Sequence, residues 1–247
     1  MDKDYIKKNI SLIIPCTIDA SGITNSIRSN EDRLNDLKTA LPIWINSDFF
    51  KNYIIIENSN YNGPIISDII SSSHNKNIVE YIKYDGQWFD RSLGKGFGWY
   101  DQIKTAMNKS NFAQESEIFV FVTGRYIIKN FEKILLNVNR EMMCDIKENL
   151  TFAFSPVVVF PKTFILDYLL PEWKGIDESK GLSMEHVQSK ALLRAIADGY
   201  EWELPYEAPI MDTISAIHNK PYKLYPFHDV IIKYYSYLKK FVFESKR

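Results

Sequence analysis

The sequence predicts an α/β fold: one domain with a mostly parallel central sheet flanked by helices. Three observations predict it. Strand-like and helix-like segments alternate through most of the first 140 residues, as successive βαβ units do. The segments Ser11–Thr17, Tyr53–Ile56 and Glu117–Val122 carry continuous apolar runs rather than alternating ones, as strands covered on both faces do. Small and polar residues follow two of these runs at once, Glu57-Asn58-Ser59-Asn60 and Thr123-Gly124-Arg125, and the first breaks at Pro15 before a polar stretch. Ligands of open α/β sheets bind beyond the carboxyl ends of the strands, so these exits are candidate site positions.

In chain order, Ser11–Thr17 is the first strand. Ser29, Asn30 or Asp32 caps a helix whose apolar face is Leu34, Leu37, Leu41 and Trp44. Tyr53–Ile56 is the second strand, residues 64–73 form a helix, and Val79–Tyr84 alternates as a less buried third strand. Gly94-Lys95-Gly96-Phe97-Gly98 opens a helix carrying Tyr100, Ile103, Ala106 and Met107. Glu117–Val122 is the fourth strand, and residues 127–138 are helical on Phe131, Ile134, Leu135 and Val138. Residues 151–160 hold one or two strands interrupted by Pro156, and a short helix over 162–170 stops before Pro171. A strong helix follows over 183–199 on Val187, Ala191, Leu192, Ala195 and Ile196, with Gly199 as C-cap. Residues 200–220 read as irregular, and 230–243 as an aromatic-rich helix with a basic end.

The chain has 247 residues, 45% of them apolar and 25% charged, enough for one large domain or a domain with a small appendage. A net charge of −1 supplies no field that would draw nucleic acid, which is excluded as a partner on this ground. Cys16 and Cys144 make no disulfide scaffold, and no Cys/His set has zinc-finger spacing. A reducing cytoplasm is the expected compartment. The apolar run near the start is too short, and broken by Pro15, for a signal peptide or a spanning helix. Fifteen tyrosines, fifteen phenylalanines and five tryptophans supply core, and also rings able to stack on planar ligands or sugars.

Three groups of residues carry the chemistry. Glycines at 94, 96 and 98 let a ligand approach the start of a helix, Lys95 adds charge, and a helix N-terminus favours phosphate. The segment lacks the Gly-Lys-Ser/Thr ending of a Walker A loop and the spacing of a dinucleotide fingerprint; the bland alternative is a capped flexible loop. Arg125, after Thr123 and Gly124, offers a planar fork for phosphate or carboxylate, against the alternative of a surface ion pair. Glu185 at a helix start is either a favourable partner of the helix dipole or a general base for an acceptor hydroxyl.

This order of elements, over about residues 10–225, resembles the GT-A-type glycosyltransferases, whose single Rossmann-like domain binds nucleotide sugars. Gly-Lys-Gly-x-Gly with Thr-Gly-Arg-Tyr is similar to a group of bacterial cell-surface polysaccharide enzymes of this fold, those of capsule and O-antigen. The resemblance implies transfer of a sugar from a nucleotide-sugar donor to a hydroxyl of a surface glycan or glycolipid. Pro15, Thr17, Glu57, Ser59, Lys95, Gly96, Thr123 and Gly124 would bind the donor, and Arg125 and Glu185 would be catalytic. The family's Asp-x-Asp metal motif is replaced by Thr123-Gly124-Arg125, so no metal ligand is assigned and a divalent metal is not expected to be required. Two other readings stay open: a sugar nucleotidyltransferase, with Asp19 and Gly22 as a thin version of its loop, and a non-catalytic glycan- or partner-binding member. Residues 1–225 would form the nucleotide-sugar and acceptor domain. Residues 226–247 would form a C-terminal amphipathic helix that docks on the core, or lies on a partner or the inner face of the membrane.

Overall fold

The computed structural model describes residues 1–23, 28–154 and 156–214, together with positions 231, 234, 235, 238, 239, 241 and 242. Its elements are α1 (Lys3–Asn9), β1 (Ile10–Cys16), α2 (Asn30–Ile45), β2 (Asn52–Glu57), α3 (Ile65–Ser71), β3 (Val79–Lys83), α4 (Lys95–Lys109) and α5 (Asn111–Gln114). There follow β4 (Ile118–Val122), α6 (Phe131–Leu136), β5 (Met142–Met143), β6 (Val157–Pro161), α7 (Lys162–Phe164), α8 (Leu170–Trp173), α9 (Met184–Ala197) and β7 (Trp202–Glu203).

The seven strands form one sheet in the order β3-β2-β1-β4-β6-β5-β7. β1 pairs in parallel with β2 and β4, β2 with β3, and β5 with β7, while β6 runs antiparallel to both its neighbours. The sheet is thus mostly parallel, as its continuous apolar strands require. Alternate residues feed two cores. Ile13, Ile54, Ile56, Phe119 and Phe121 pack under α4 and α9, whereas Leu12, Ile14, Ile55, Val120 and Val122 pack under α2 and α6. Strand order reverses between β1 and β4, because β2 and β3 lie to one side of β1 and β4 to the other. That reversal opens a crevice at the carboxyl ends of β1 and β4.

Local signals explain most boundaries. Ser29 caps α2 in a capping box with Asp32. Gly199 closes α9 at φ 102°, with Tyr200 N–H donating to the Ala195 carbonyl (3.0 Å) and Gly199 N–H to Ile196 (3.1 Å), a Schellman arrangement. Four expectations are corrected. β1 does not break at Pro15 but runs to Cys16; Pro15 lies beyond the last β1–β4 pair, Ile13 with Phe121, so its missing N–H costs that ladder nothing. The helix expected over 162–170 continues past Pro171, because the π turn Ile165–Leu169 lies between α7 and α8 and Pro171 falls in the first turn of α8. The helix expected over 127–138 is only α6. The chain at 1–9, read as a charged lead, is α1, capped by the Asp2 side chain. Among residues 230–243 the seven described positions are helical; His218, His228, Pro221 and the charges Lys240, Lys246 and Arg247 lie outside the described residues.

Candidate active site

A cleft of about 380 Å³ lies at the β1/β4 reversal. Pro15, Cys16 and Thr17 come to it from the end of β1, and Phe121, Val122, Thr123, Arg125 and Tyr126 from the end of β4. Lys95, Gly96 and Trp99 come from the start of α4, Arg33 and Leu37 from α2, and Met184, Glu185 and Gln188 from α9. Seven sequence-predicted positions therefore meet here: Pro15, Thr17, Lys95, Gly96, Thr123, Arg125 and Glu185.

The cations are concentrated on one side. Arg33 donates to the Thr17 carbonyl at 3.1 Å; burial, with Arg125 close by, pulls its guanidinium down to about 10. Burial also lowers the Lys95 ammonium, opposed by the attraction of Glu178 and Glu185. Arg125 is 9% exposed. It donates to the Ile214 carbonyl (2.9 Å) and the Tyr126 hydroxyl (3.2 Å), covers the Tyr126 ring at 4.6 Å, and lies 4.0 Å from Asp36. Asp36 itself pairs with Arg28 at 2.7 Å, and burial raises its carboxyl despite that partner. Arg125 is thus built into the wall, where two of its five N–H donors are already engaged with the protein. Lys95 differs: among the described residues no hydrogen bond or ion pair holds its ammonium. Of the two cations singled out in the sequence, Lys95 is the one able to turn onto a ligand.

Across the cleft, Glu185 sits in the first turn of α9, whose start is fixed by the Glu185 carbonyl accepting from Ala153 N–H at 3.0 Å. Its half-buried carboxylate likewise has no hydrogen-bond partner among the described residues. His186 next to it bonds the Ser183 hydroxyl (3.0 Å) and meets the Phe152 ring edge-on, which accounts for it structurally.

Three sequence-predicted residues stand outside the cleft lining. Glu57 is fully buried and gives both oxygens to the protein: one accepts from Ser59 N–H (2.9 Å), the Ser59 hydroxyl and Ile18 N–H (3.4 Å), the other from Tyr61 N–H (3.0 Å). Ser59 also accepts from Asp19 N–H at 3.0 Å, so the pair braces the loops after β1 and β2. Gly124 is a packing position: its N–H donates to the Pro15 carbonyl (3.1 Å), and a Cβ there would lie 2.5 Å from Cys16 Sγ and 3.2 Å from Leu37. Asp19 and Gly22 also lie outside the lining.

The sequence reading passed over Arg33, Glu178 and Gln188. Glu178, from the turn before α9, accepts from Gly96 N–H at 3.0 Å. Its carboxylate occupies the start of α4, the very position where the glycines and helix end would hold a phosphate. A Cβ on Gly96 would lie 2.9 Å from that of Met184, so this glycine admits the α9 start as well. The position that carries an Asp-x-Asp in metal-dependent relatives offers Thr123, a glycine and a buried guanidinium, a donor set that does not fit a divalent cation. Among the described residues no group of three or more His, Cys, Asp or Glu could hold a metal.

No family model and no curated protein matches the chain. Solved structures do. Core-mannan synthase A from Aspergillus fumigatus, in an Mn/GDP form, aligns over 97% of this chain and 88% of its own at 11% identity, with a TM-score of 0.52. The fold is of the GT-A type. A 4-diphosphocytidyl-2C-methyl-D-erythritol synthase from Anaerococcus prevotii aligns over 96% and 99% at 13% identity and a TM-score of 0.45. A cytidylyltransferase from Leptospira borgpetersenii aligns over 79% and 75% at 11% identity and 0.39. The neighbours are transferases that handle nucleotides or nucleotide sugars, on the same sheet whose reversal forms the cleft described above.

Proposed function

We propose that the protein is a glycosyltransferase that moves a sugar from a nucleoside-diphosphate donor to a hydroxyl of a glycan or glycolipid. The observation that carries this reading is the cleft's polarity: Lys95, Arg33 and Arg125 on one side, the unengaged Glu185 carboxylate on the other. Glycosyl transfer expels a nucleoside diphosphate, so negative charge grows on the leaving oxygen. Fixed cations in a partly dry cleft stabilise that charge without reorganising. Lys95 swings onto the diphosphate, while Arg33 and Arg125, held by the Thr17 and Ile214 carbonyls, supply a standing positive field. Glu185 removes the proton of the acceptor hydroxyl as it attacks the anomeric carbon. The nucleoside lies against the β1 exit at Pro15 and Thr17. No step is routed through a metal ion, because the residues at the end of β4 do not fit one.

The acceptor of this reading is a bacterial surface polysaccharide or glycolipid. A lipid-borne acceptor suits the C-terminal segment, where Ile231, Tyr234, Leu238 and Phe241 are each between 45% and 66% exposed. These residues support peripheral contact with the inner face of the membrane. Among the described residues no helix is long and apolar enough to cross one.

Incubating the protein with single nucleotide sugars and a panel of acceptor glycosides tests the reaction class. Release of nucleoside diphosphate with sugar-extended acceptor is the expected result. Release of pyrophosphate from a nucleoside triphosphate and sugar phosphate would instead establish a nucleotidyltransferase. Donor binding without turnover would establish a binding subunit.

A further inference from the structure

Two polar side-chain atoms among the cleft residues are buried and have no hydrogen-bond partner among the described residues. Gln188 on α9 is 3% exposed, and its Nε2 donates to the Ala153 carbonyl (3.4 Å) and to Cys144 Sγ (3.2 Å). That contact fixes the amide's orientation, because only an N–H can face a carbonyl oxygen. Gln188 Oε1 is therefore the end left over, and it is unpartnered. Trp99 on α4 packs between Phe121 (centroids 6.0 Å apart) and Trp173 (5.1 Å), and its Nε1–H is unpartnered too. Both residues line the cleft. It thus holds one spare acceptor and one spare donor, on different helices, among the apolar side chains of Phe121, Val158, Met184 and Phe154. Buried polar groups in native proteins are satisfied almost without exception, so a pair left open in a ligand cleft points to the ligand.

We propose that Gln188 and Trp99 recognise an N-acetyl substituent on the sugar bound in this cleft. This rests on the reading of the cleft as a sugar-binding site and names the class of sugar. A trans secondary amide carries its donor and acceptor on opposite sides. Its N–H donates to Gln188 Oε1, its carbonyl accepts from Trp99 Nε1–H, and its methyl group lies against the apolar walls. A plain hexose offers hydroxyls at the same place. One hydroxyl can serve either atom, but it leaves the apolar surround against polar groups. A site built around a donor and an acceptor rejects the analogue that lacks them.

Saturation-transfer NMR on the full chain tests this with the methyl glycosides of N-acetylglucosamine, N-acetylgalactosamine, glucose and galactose, each alone and with UDP or GDP. The acetamido sugars are expected to receive about tenfold more saturation than the parent hexoses, with the acetyl methyl strongest. Gln188→Met and Trp99→Phe, each first shown to melt cooperatively, are expected to remove that preference. Equal transfer to all four sugars, transfer to none of them, or an acetyl signal unchanged in both variants overturns the proposal. Failure of the nucleotide-sugar reading is seen separately on the same samples, as the absence of binding by UDP, GDP and the other nucleoside diphosphates.

Discussion

The carboxylate of Glu178 at the start of α4 makes a prediction in which stability and affinity move in opposite directions. Glu178 accepts from Gly96 N–H at 3.0 Å and stands beside Lys95, where an incoming diphosphate would otherwise find a helix end and a cation. Replacing it by glutamine keeps an oxygen on Gly96 but removes the charge. At an effective dielectric of about 20, unit charges about 5 Å apart repel by about 3 kcal/mol. Glu178 is half-buried, and salt screens the remainder, so about 1–1.5 kcal/mol is a fair share, or roughly tenfold in Kd. Losing an acidic partner at a helix N-terminus costs about 0.3–1 kcal/mol of stability. Glu178→Gln is thus expected to melt slightly earlier than the wild type and to bind a nucleoside diphosphate about tenfold more tightly by isothermal titration calorimetry. Weaker binding by Glu178→Gln would refute the reasoning, because it would make Glu178 a support of the site rather than a competitor for it.

Four other outcomes follow from the geometry. Glu185→Gln should lower kcat by about 10²–10⁴-fold while leaving the donor KM within a few-fold, as loss of a general base does, and equal turnover by the variant would remove Glu185 from that role. Lys95→Met should weaken nucleoside-diphosphate binding and flatten its pH dependence. In the wild type the Lys95 charge is held below the ordinary lysine range by burial, so affinity is present at neutral pH and falls as pH rises through that lowered value, which titrations between neutral pH and pH 10 would follow. Gly124→Ala should destabilise the fold by about 1–3 kcal/mol, since its Cβ would lie 2.5 Å from Cys16 Sγ, and a denaturant midpoint equal to wild type would contradict the packing described. Arg125→Ala should lower both turnover and stability, because it deletes the bonds to Ile214 and Tyr126 as well as a charge; a variant stable as wild type but inactive would show that the wall contacts contribute nothing.

The parallel core of the fold was legible because its strands are long apolar runs with turn chemistry at their ends. β5 and β7 were not, since two residues cannot display a period. Lys95 and Glu185 could be singled out because each opens a helix. Arg125 was legible as a position but not as an environment: its bonds run to Ile214, 89 residues away, and to the Tyr126 hydroxyl. Glu57 looked like a ligand because it ends a strand, yet the N–H groups of the loops that follow consume its oxygens. Two of the missed residues did leave a trace. Arg33 falls on the same stripe of α2 as Leu37, Leu41 and Trp44, and Gln188 on the stripe of α9 that carries Ala191, Leu192 and Ala195. A polar residue on the apolar face of a helix is the signal that would have found both. Glu178 left none, because its role depends on a turn meeting the start of α4, 82 residues away in sequence.

The central claim is that this cleft binds a nucleoside diphosphate through its own cations. Thermal melting with CMP, UDP, GDP and CDP, each with Mn²⁺ and with EDTA, tests it most directly. A ligand at about a hundred times its Kd stabilises the folded state by about 2.7 kcal/mol, well within the reach of a melting curve. The account predicts a large shift with one nucleoside diphosphate, the same in Mn²⁺ and in EDTA and lost in Lys95→Met. A shift that appears only with Mn²⁺, or no shift with any of the four, would contradict it.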